Sequence, residues 1–280
     1  MKFIQILILI FLCSCGNNEK VYPAVGVIHE VIEDKREMII HHDEIPGFMM
    51  AMTMTLKVDE SVKMGNWERG DSINFDIVIA GNNGFVRSFE SLGKVEIPEQ
   101  EDDFWEDEDS PTKLGEILPD ATFLDLDSNV VSLSKNNGNC RFISFVFSRC
   151  PMPNMCPAVV VKNQYLSKAF QDIPEIEFLL VSFDYLYDTP SILKLNYGSL
   201  ISSNPNLKAY SSYGHINDIF TLSGQSQVSF WGIEENDIGH SLRSVLIDPE
   251  RRLMKAFDGL DWRPELVERK IKNILKAYSF

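Results

Sequence analysis

The chain of 280 residues has no second long apolar run after its N-terminus, which excludes a multi-span membrane protein. Positive charge is scarce: 26 lysines and arginines stand against 41 aspartates and glutamates, a formal net charge of −15. Such a surface repels phosphate backbones, so nucleic acid is excluded as a partner. The acidity names no partner of its own and reads as a solvated surface that keeps the protein soluble. Cysteine is scarce too. Five are present, Cys13 and Cys15 near the N-terminus and Cys140, Cys150 and Cys156 far from it. Three is an odd number, which excludes a disulfide scaffold; one close pair plus one cysteine apart points to chemistry at the pair. What remains is a hydrophobic fraction of 44 %, ordinary for a globular protein, in a length that holds one large domain or two smaller ones.

Lys2 precedes an apolar run from Phe3 to Leu12, a charged segment and a hydrophobic segment too short to span a bilayer comfortably. The run ends in Leu12-Cys13-Ser14-Cys15-Gly16, which resembles a bacterial lipobox. The resemblance implies that residues 1–15 are a lipoprotein signal peptide and lipobox. Cys13 then leaves with the signal, and Cys15 carries the lipid that holds the protein to a bacterial membrane, facing the periplasm or the outside. The competing reading is an ordinary cleaved signal with an accidental cysteine. Both export the mature protein to a place where disulfides persist.

Residues 22–97 read as short strands. Val25, Val27, His29 and Val31 alternate with Gly26, Ile28, Glu30 and Ile32, the period of a half-buried strand. Asp34-Lys35 makes a turn and Met38 to His42 returns; further strands run over Met52 to Val58, Ile73 to Ile79 and Phe85 to Phe89, the last two joined by a hairpin signal at Asn82-Asn83-Gly84. This spacing predicts a small all-β, OB-like barrel. Eight of the eleven residues from Glu99 to Asp109 are acidic, so residues 98–112 are predicted to be a linker, roughly 50 Å long if fully extended. In residues 113–280 the pattern changes. Arg141 to Phe147 is a nearly continuous apolar strand, Pro157 to Phe170 a helix, Ile176 to Phe183 another buried strand. Leu242 to Ile247 and Arg252 to Phe257 are strands around a turn, and Arg263 to Tyr278 is a helix. That order predicts an α/β thioredoxin-like domain.

Four of the ten methionines, Met49, Met50, Met52 and Met54, fall within six residues, shortly after His41-His42-Asp43. On a strand Met52 and Met54 point to one face, and His42 ends the preceding strand beside it. Thioethers with imidazole suit soft copper(I) or silver(I) rather than calcium or magnesium, and thioethers survive where thiolates are lost to disulfides. The competing reading is methionine filling a barrel core; polar Thr53 on the opposite face and the nearby histidines favour metal. The segment resembles the CusF family of periplasmic copper/silver carriers. It is more similar still to the CusF-like module fused to Sco proteins, which reads Ile-Pro-Gly-Phe-Met-Pro-Ala-Met-Thr-Met. Over Tyr22 to Ile97 the resemblance implies His42, Met52 and Met54 as ligands. Met49 stands where CusF has a tryptophan over the metal and is a candidate fourth ligand. Met50 replaces the family's proline, which leaves open which of the two turns inward.

The second signal is Ser148-Arg149-Cys150-Pro151-Met152-Pro153-Asn154-Met155-Cys156-Pro157, between a buried strand and a helix. Sites form at such strand ends, and a cysteine near a helix N-terminus has its thiolate stabilised. Two such thiols form a disulfide or bind a soft metal; a plain structural bridge is the bland alternative. Together with Val181-Ser182-Phe183-Asp184, Asp188-Thr189-Pro190 and the run from Gly239 to Pro249, this segment resembles the Sco/SenC family over Lys113 to Phe280. The resemblance implies that Cys150, Cys156 and His240 bind copper, with Asp184 in support. It departs from the family in having five residues, not three, between the cysteines. Cys140, at a strand start, reads as a buried small hydrophobe, and His29 and His215 as surface residues.

The resemblance implies an extracytoplasmic copper(I) chaperone that supports delivery to the dinuclear copper centre of cytochrome oxidase. Its partner is then that oxidase subunit or another copper-receiving protein. The alternative is a thiol-disulfide oxidoreductase using Cys150 and Cys156 as a redox pair, with the barrel as a metal sensor or scavenger. Thioredoxin-type enzymes place a proline before the strand that faces the cysteines. Here the position reads Gly239-His240-Ser241-Leu242, which favours metal. A peroxidase-like relative, suggested by Pro119 to Phe123, lacks a matching cysteine setting.

Overall fold

The computed structural model describes residues 19–49, 51–81, 83–97, 111–136, 138–234, 238–259 and 262–277. Cys13, Cys15, Met50, Asn82 and the acidic stretch 98–110 lie outside the described residues. No helix among the described residues is long and apolar enough to cross a membrane.

The N-terminal region is built from β1 (Glu19–Ile32), β2 (Glu37–His42), β3 (Met52–Lys57), β4 (Asp71–Ala80) and β5 (Asn83–Lys94). They lie in the order β3-β2-β1-β4-β5. The sheet curls until Val58, just past β3, bridges Val86 of β5, and Asp59 N–H donates to the Val86 carbonyl at 2.9 Å. The strands therefore close as a five-stranded OB-like barrel. Ile73, Phe75 and Ile77 of β4 face inward as the alternation predicts. On β1 the inward residues are Ala24, Gly26 and Ile28, while Val25 faces out. The turn at Asp34-Lys35 is a single 3-10 turn that ends with Arg36 at φ +52°. The Arg36 guanidinium donates to the carbonyls of Asp59 (2.6 Å) and Val62 (3.0 Å), tying this turn to the loop after β3.

The second domain runs through β6 (Thr122–Leu124), β7 (Val130–Ser132), β8 (Cys140–Val146), α1 (Cys156–Ala169), β9 (Ile176–Ser182), α2 (Pro190–Ser202), β10 (Leu207–Ser211), α3 (Ile216–Gln225), β11 (Phe230–Trp231), β12 (Gly239–His240), β13 (Arg243–Ile247), β14 (Leu253–Asp258) and α4 (Pro264–Ala277). Its seven-stranded sheet has the order β14-β13-β8-β9-β10-β6-β7, with β8, β9 and β10 parallel. Every residue of β8 is buried, as expected of a central parallel strand covered on both faces. Each phenylalanine buried there, such as Phe142 and Phe145, contributes about 1.5–3 kcal/mol. Thr112, expected in the linker, already belongs to this domain: its N–H and hydroxyl donate to the carbonyl and Oε1 of Gln225 at the end of α3 (3.2 and 2.6 Å).

Cys140 opens β8 and is 1 % exposed. Burial, reinforced by the charge of Asp248, pushes its thiol up to about 12. Iodoacetamide at neutral pH should leave it unmodified in the native protein and label it only after unfolding, because the thiolate is the nucleophile. Prompt native labelling, mapped by peptide mass, would contradict this burial.

The two domains are docked. The outer edge of β3 hydrogen-bonds to Ile238, two residues before His240: Thr53 N–H donates to the Ile238 carbonyl (3.1 Å) and Ile238 N–H to the Ala51 carbonyl (3.2 Å). Asn154, in the loop between the cysteines, donates to the carbonyl of Gly84 on β5 (3.2 Å). A Cβ at Gly84 would lie 2.5 Å from Cε of Met152 and 2.8 Å from Oδ1 of Asn154, so a larger residue there displaces those two side chains.

Candidate functional site

In the barrel, antiparallel register sets His42 opposite Met52 and Ile40 opposite Met54. Directly opposed residues share a face, with Cβ atoms about 5 Å apart. His42, Met49, Met52 and Met54 are all buried. Nδ1 of His42 lies 2.7 Å from the carbonyl of Asp43, which places the ring proton on Nδ1 and leaves Nε2 as the basic nitrogen. Met49 is brought in by a tight turn. Ile45 N–H donates to the Met49 carbonyl (2.8 Å), Met49 N–H donates back (3.1 Å), and Phe48 stacks on Tyr22 at 3.7 Å between centroids. Met50, the other candidate, lies outside the described residues. On the opposite face His41 Nδ1 pairs with Thr53 Oγ1 at 3.0 Å. Thr53 is buried although polar, because the second domain covers it at Ile238.

In the second domain the chain leaves the C-terminal end of β8, passes through Cys150 and enters α1 at Cys156, with Pro157 in the first turn. Both cysteines are buried free thiols. The Cys156 thiol donates to the Cys150 sulfur, and the amides of Cys156 and Met152 add to it, holding Cys150 below the usual thiol value. The Cys156 N–H is one of the free donors at the start of α1. Cys156 is pushed well up by that bond and by burial. Of the two thiols, Cys150 is therefore the one that ionises first.

Two carboxylates anchor the loop. Asp188 is fully buried and accepts from the Ser148 N–H (2.9 Å), the Ser148 hydroxyl and the Ser182 hydroxyl (2.5 Å). Burial nonetheless raises its carboxyl above the usual value. Asp184 binds the Arg149 guanidinium at 2.8 Å, and that guanidinium lies 4.4 Å over the ring of Tyr187. Asp188→Ala leaves the Ser148 and Ser182 donors buried without their acceptor, which should cost about 2–3 kcal/mol. Urea unfolding measures it; a midpoint unchanged from wild type would mean the loop has another anchor.

His240 sits on β12, its ring centroid 5.3 Å from that of Phe147 and 5.2 Å from that of Phe183. The Trp231 ring occupies the space a Cβ on Gly239 would need. Nδ1 of His240 is 3.3 Å from the Ser241 carbonyl, while Nε2 is buried with no hydrogen-bond partner. Burial lowers the imidazole to about 4, so it is neutral at physiological pH. Among the described residues no three His, Cys, Asp or Glu side chains come close enough to hold one metal ion. Cys150 and Cys156 meet, but His240 does not complete a three-donor group with them. The loop residues that share a cavity with His240 are Asn154 and Met155.

Sequence reasoning missed Asp188, Arg149 and Met155. All three stand in segments that carry the family resemblance, but their roles depend on contacts across the fold that leave no local pattern. His29 lies beside His41, centroids 6.0 Å apart, and His215 lies 3.7 Å from Asp218.

Residues 110–276 match the family model described as SCO1/SenC, and residues 21–91 match that described as copper binding periplasmic protein CusF. Among solved structures the fold is similar to Arabidopsis thaliana ScoI with copper bound, at 17 % identity and TM-score 0.50, over 58 % of this chain and 100 % of that one. It is also similar to a SCO1/SenC family lipoprotein from Bacillus anthracis str. Ames, at 22 % identity and TM-score 0.51, over 57 % and 95 %. At these identities the likeness is one of fold. Among curated proteins no match is found.

Proposed function

Because the chain belongs to the SCO1/SenC family and carries a CusF-like region ahead of that domain, we propose that it is an extracytoplasmic copper(I) chaperone. In this reading His42, Met52, Met54 and Met49 of the barrel capture the ion. Cys150, Cys156 and His240 hold it for delivery to a receiving protein, the dinuclear copper centre of cytochrome oxidase being the candidate recipient. The observation that carries the reading is His240. A neutral imidazole, buried with Nε2 unpartnered in the domain that carries a pair of free thiols, is a costly arrangement unless a ligand takes the lone pair. The thiols and thioethers at hand are the soft donors that copper(I) prefers. Taking the ion at the cysteines requires the loop to bring His240 beside them, a movement of side chains across one loop.

A second reading, thiol-disulfide exchange, is favoured by the hydrogen bond from Cys156 that lowers Cys150, since a lowered thiol ionises more readily to an attacking thiolate. Titrating the soluble mature chain with copper(I) against a competing chelator separates the two. A chaperone takes up one ion at each domain; a chain that binds none at the cysteines is a redox protein instead. Cys15 is proposed as the lipidated residue. Cys15→Ser should then release the protein from membranes on mild washing, whereas persistent tight attachment would point to an uncleaved anchor.

A further inference from the structure

One candidate donor from each site, Met54 and His240, lines a common cavity. It lies between the domains, has a volume of about 240 Å³, and is lined by Met54 of the barrel together with Met155 and His240 of the second domain. All three side chains are more than nine-tenths buried: Met54 is 2 %, Met155 3 % and His240 8 % exposed. Methionine used as core filler leaves no space beside it, since packed interiors hold few voids larger than a water molecule. Here two methionines border a partly open cavity between the docked domains, and the buried Nε2 of His240 has no protein partner. The domains are held in this relation by β3 hydrogen-bonded to Ile238 and by Asn154 on Gly84. Met155 is assigned to neither copper site by the sequence.

We propose that Met54, Met155 and His240 form a copper(I) transfer station between the barrel and the cysteine pair. The proposal rests on the copper reading above. Met54 belongs to two donor sets. The ion leaves the barrel by exchanging His42 and Met52 for Met155 and His240 while the Met54 thioether stays bound. Two thioethers and a neutral imidazole form an uncharged soft donor set, so this step releases no proton. In the next step the cysteine sulfurs replace the two thioethers and His240 remains. As the two cysteine thiols bind they give up their protons to water, and the metal stays copper(I) throughout, so no electron moves. Because donors of both domains line one cavity, the handover is intramolecular and passes from donor to donor ahead of competing thiols in solution.

The test is methionine-methyl and histidine-ring NMR of the soluble full chain titrated with silver(I), a redox-inert stand-in for copper(I). The expected result is that Met155 methyl and His240 ring signals shift together with Met54. In Met155→Leu, which keeps the volume, the metal affinity read at His240 should fall about tenfold or more. Gly84→Leu, which wedges the barrel away from the cysteine loop without touching a donor, should uncouple the Met54 shift from those of Met155 and His240. If Met52, Met54 and His42 respond while Met155 and His240 stay fixed until the cysteines fill, the station is overturned and the barrel site stands. If no barrel signal responds, the copper reading itself fails along with the station.

Discussion

Replacing Met52 and Met54 together by leucine should lower the barrel's copper(I) affinity about a hundredfold or more, with the fold intact. The size follows from the donor set. The proposed barrel site has no thiolate, so thioethers and one imidazole would supply all the binding, and the double variant removes two of them. The register makes the loss specific. His42 and Met52 are opposed across β2 and β3, Met54 lies one pair further along the same face, and all three are buried. Leucine conserves volume, and such swaps in a core usually cost less than about 1.5 kcal/mol each. A chelator-competition titration gives the affinity, and thermal unfolding by circular dichroism gives the stability. Unchanged affinity would return these methionines to the role of core filler.

The second large effect is expected at His240. His240→Ala should weaken copper(I) binding at Cys150 and Cys156 by about tenfold to a hundredfold, while the two thiols still cycle to a disulfide and back. In the proposed site the imidazole would contribute a lone pair to the metal and nothing to the sulfur–sulfur bond. Phe147 and Phe183 flank the ring at 5.3 and 5.2 Å, so alanine also leaves a hole. His240→Phe keeps the aromatic packing and removes only the nitrogens, and it should weaken copper to the same degree. Copper affinity unaltered in His240→Phe, with disulfide exchange slowed, would reverse the assignment and favour the redox reading.

Much of the fold was legible in local pattern. Period-two alternation over Ile73 to Ile79 marks β4, the nearly continuous apolar run from Phe142 to Phe147 marks β8, and Pro157 marks the first turn of α1. The segment between β9 and β13 was not legible. Of the thirteen residues of α2 only Pro190 and Leu193 are buried, and Leu195 is 83 % exposed, so no apolar stripe advertises the helix. β10 is five residues long and announces itself no better. In the barrel the candidate donors were legible because adjacent strands and a short turn bring them together locally. The relation between the domains was invisible. Thr53 reads as a solvent-facing polar residue, yet Ile238 covers it; Gly84 reads as a hairpin glycine, yet its place is set by Met152 and Asn154 of the other domain. The position of His240 beside Met155 rather than between the cysteines depends on the same docking, and no spacing in the sequence encodes it.

The central claim is that this chain carries copper(I) and gives it away. Mixing the copper(I)-loaded chain with the copper-free, reduced copper-centre domain of cytochrome oxidase, then separating the two proteins and measuring the metal on each, tests it most directly. The account predicts that copper moves to the recipient from the wild-type chain and moves far less from the His240→Phe variant. Copper that stays on the wild-type chain and never reaches the reduced recipient would contradict it.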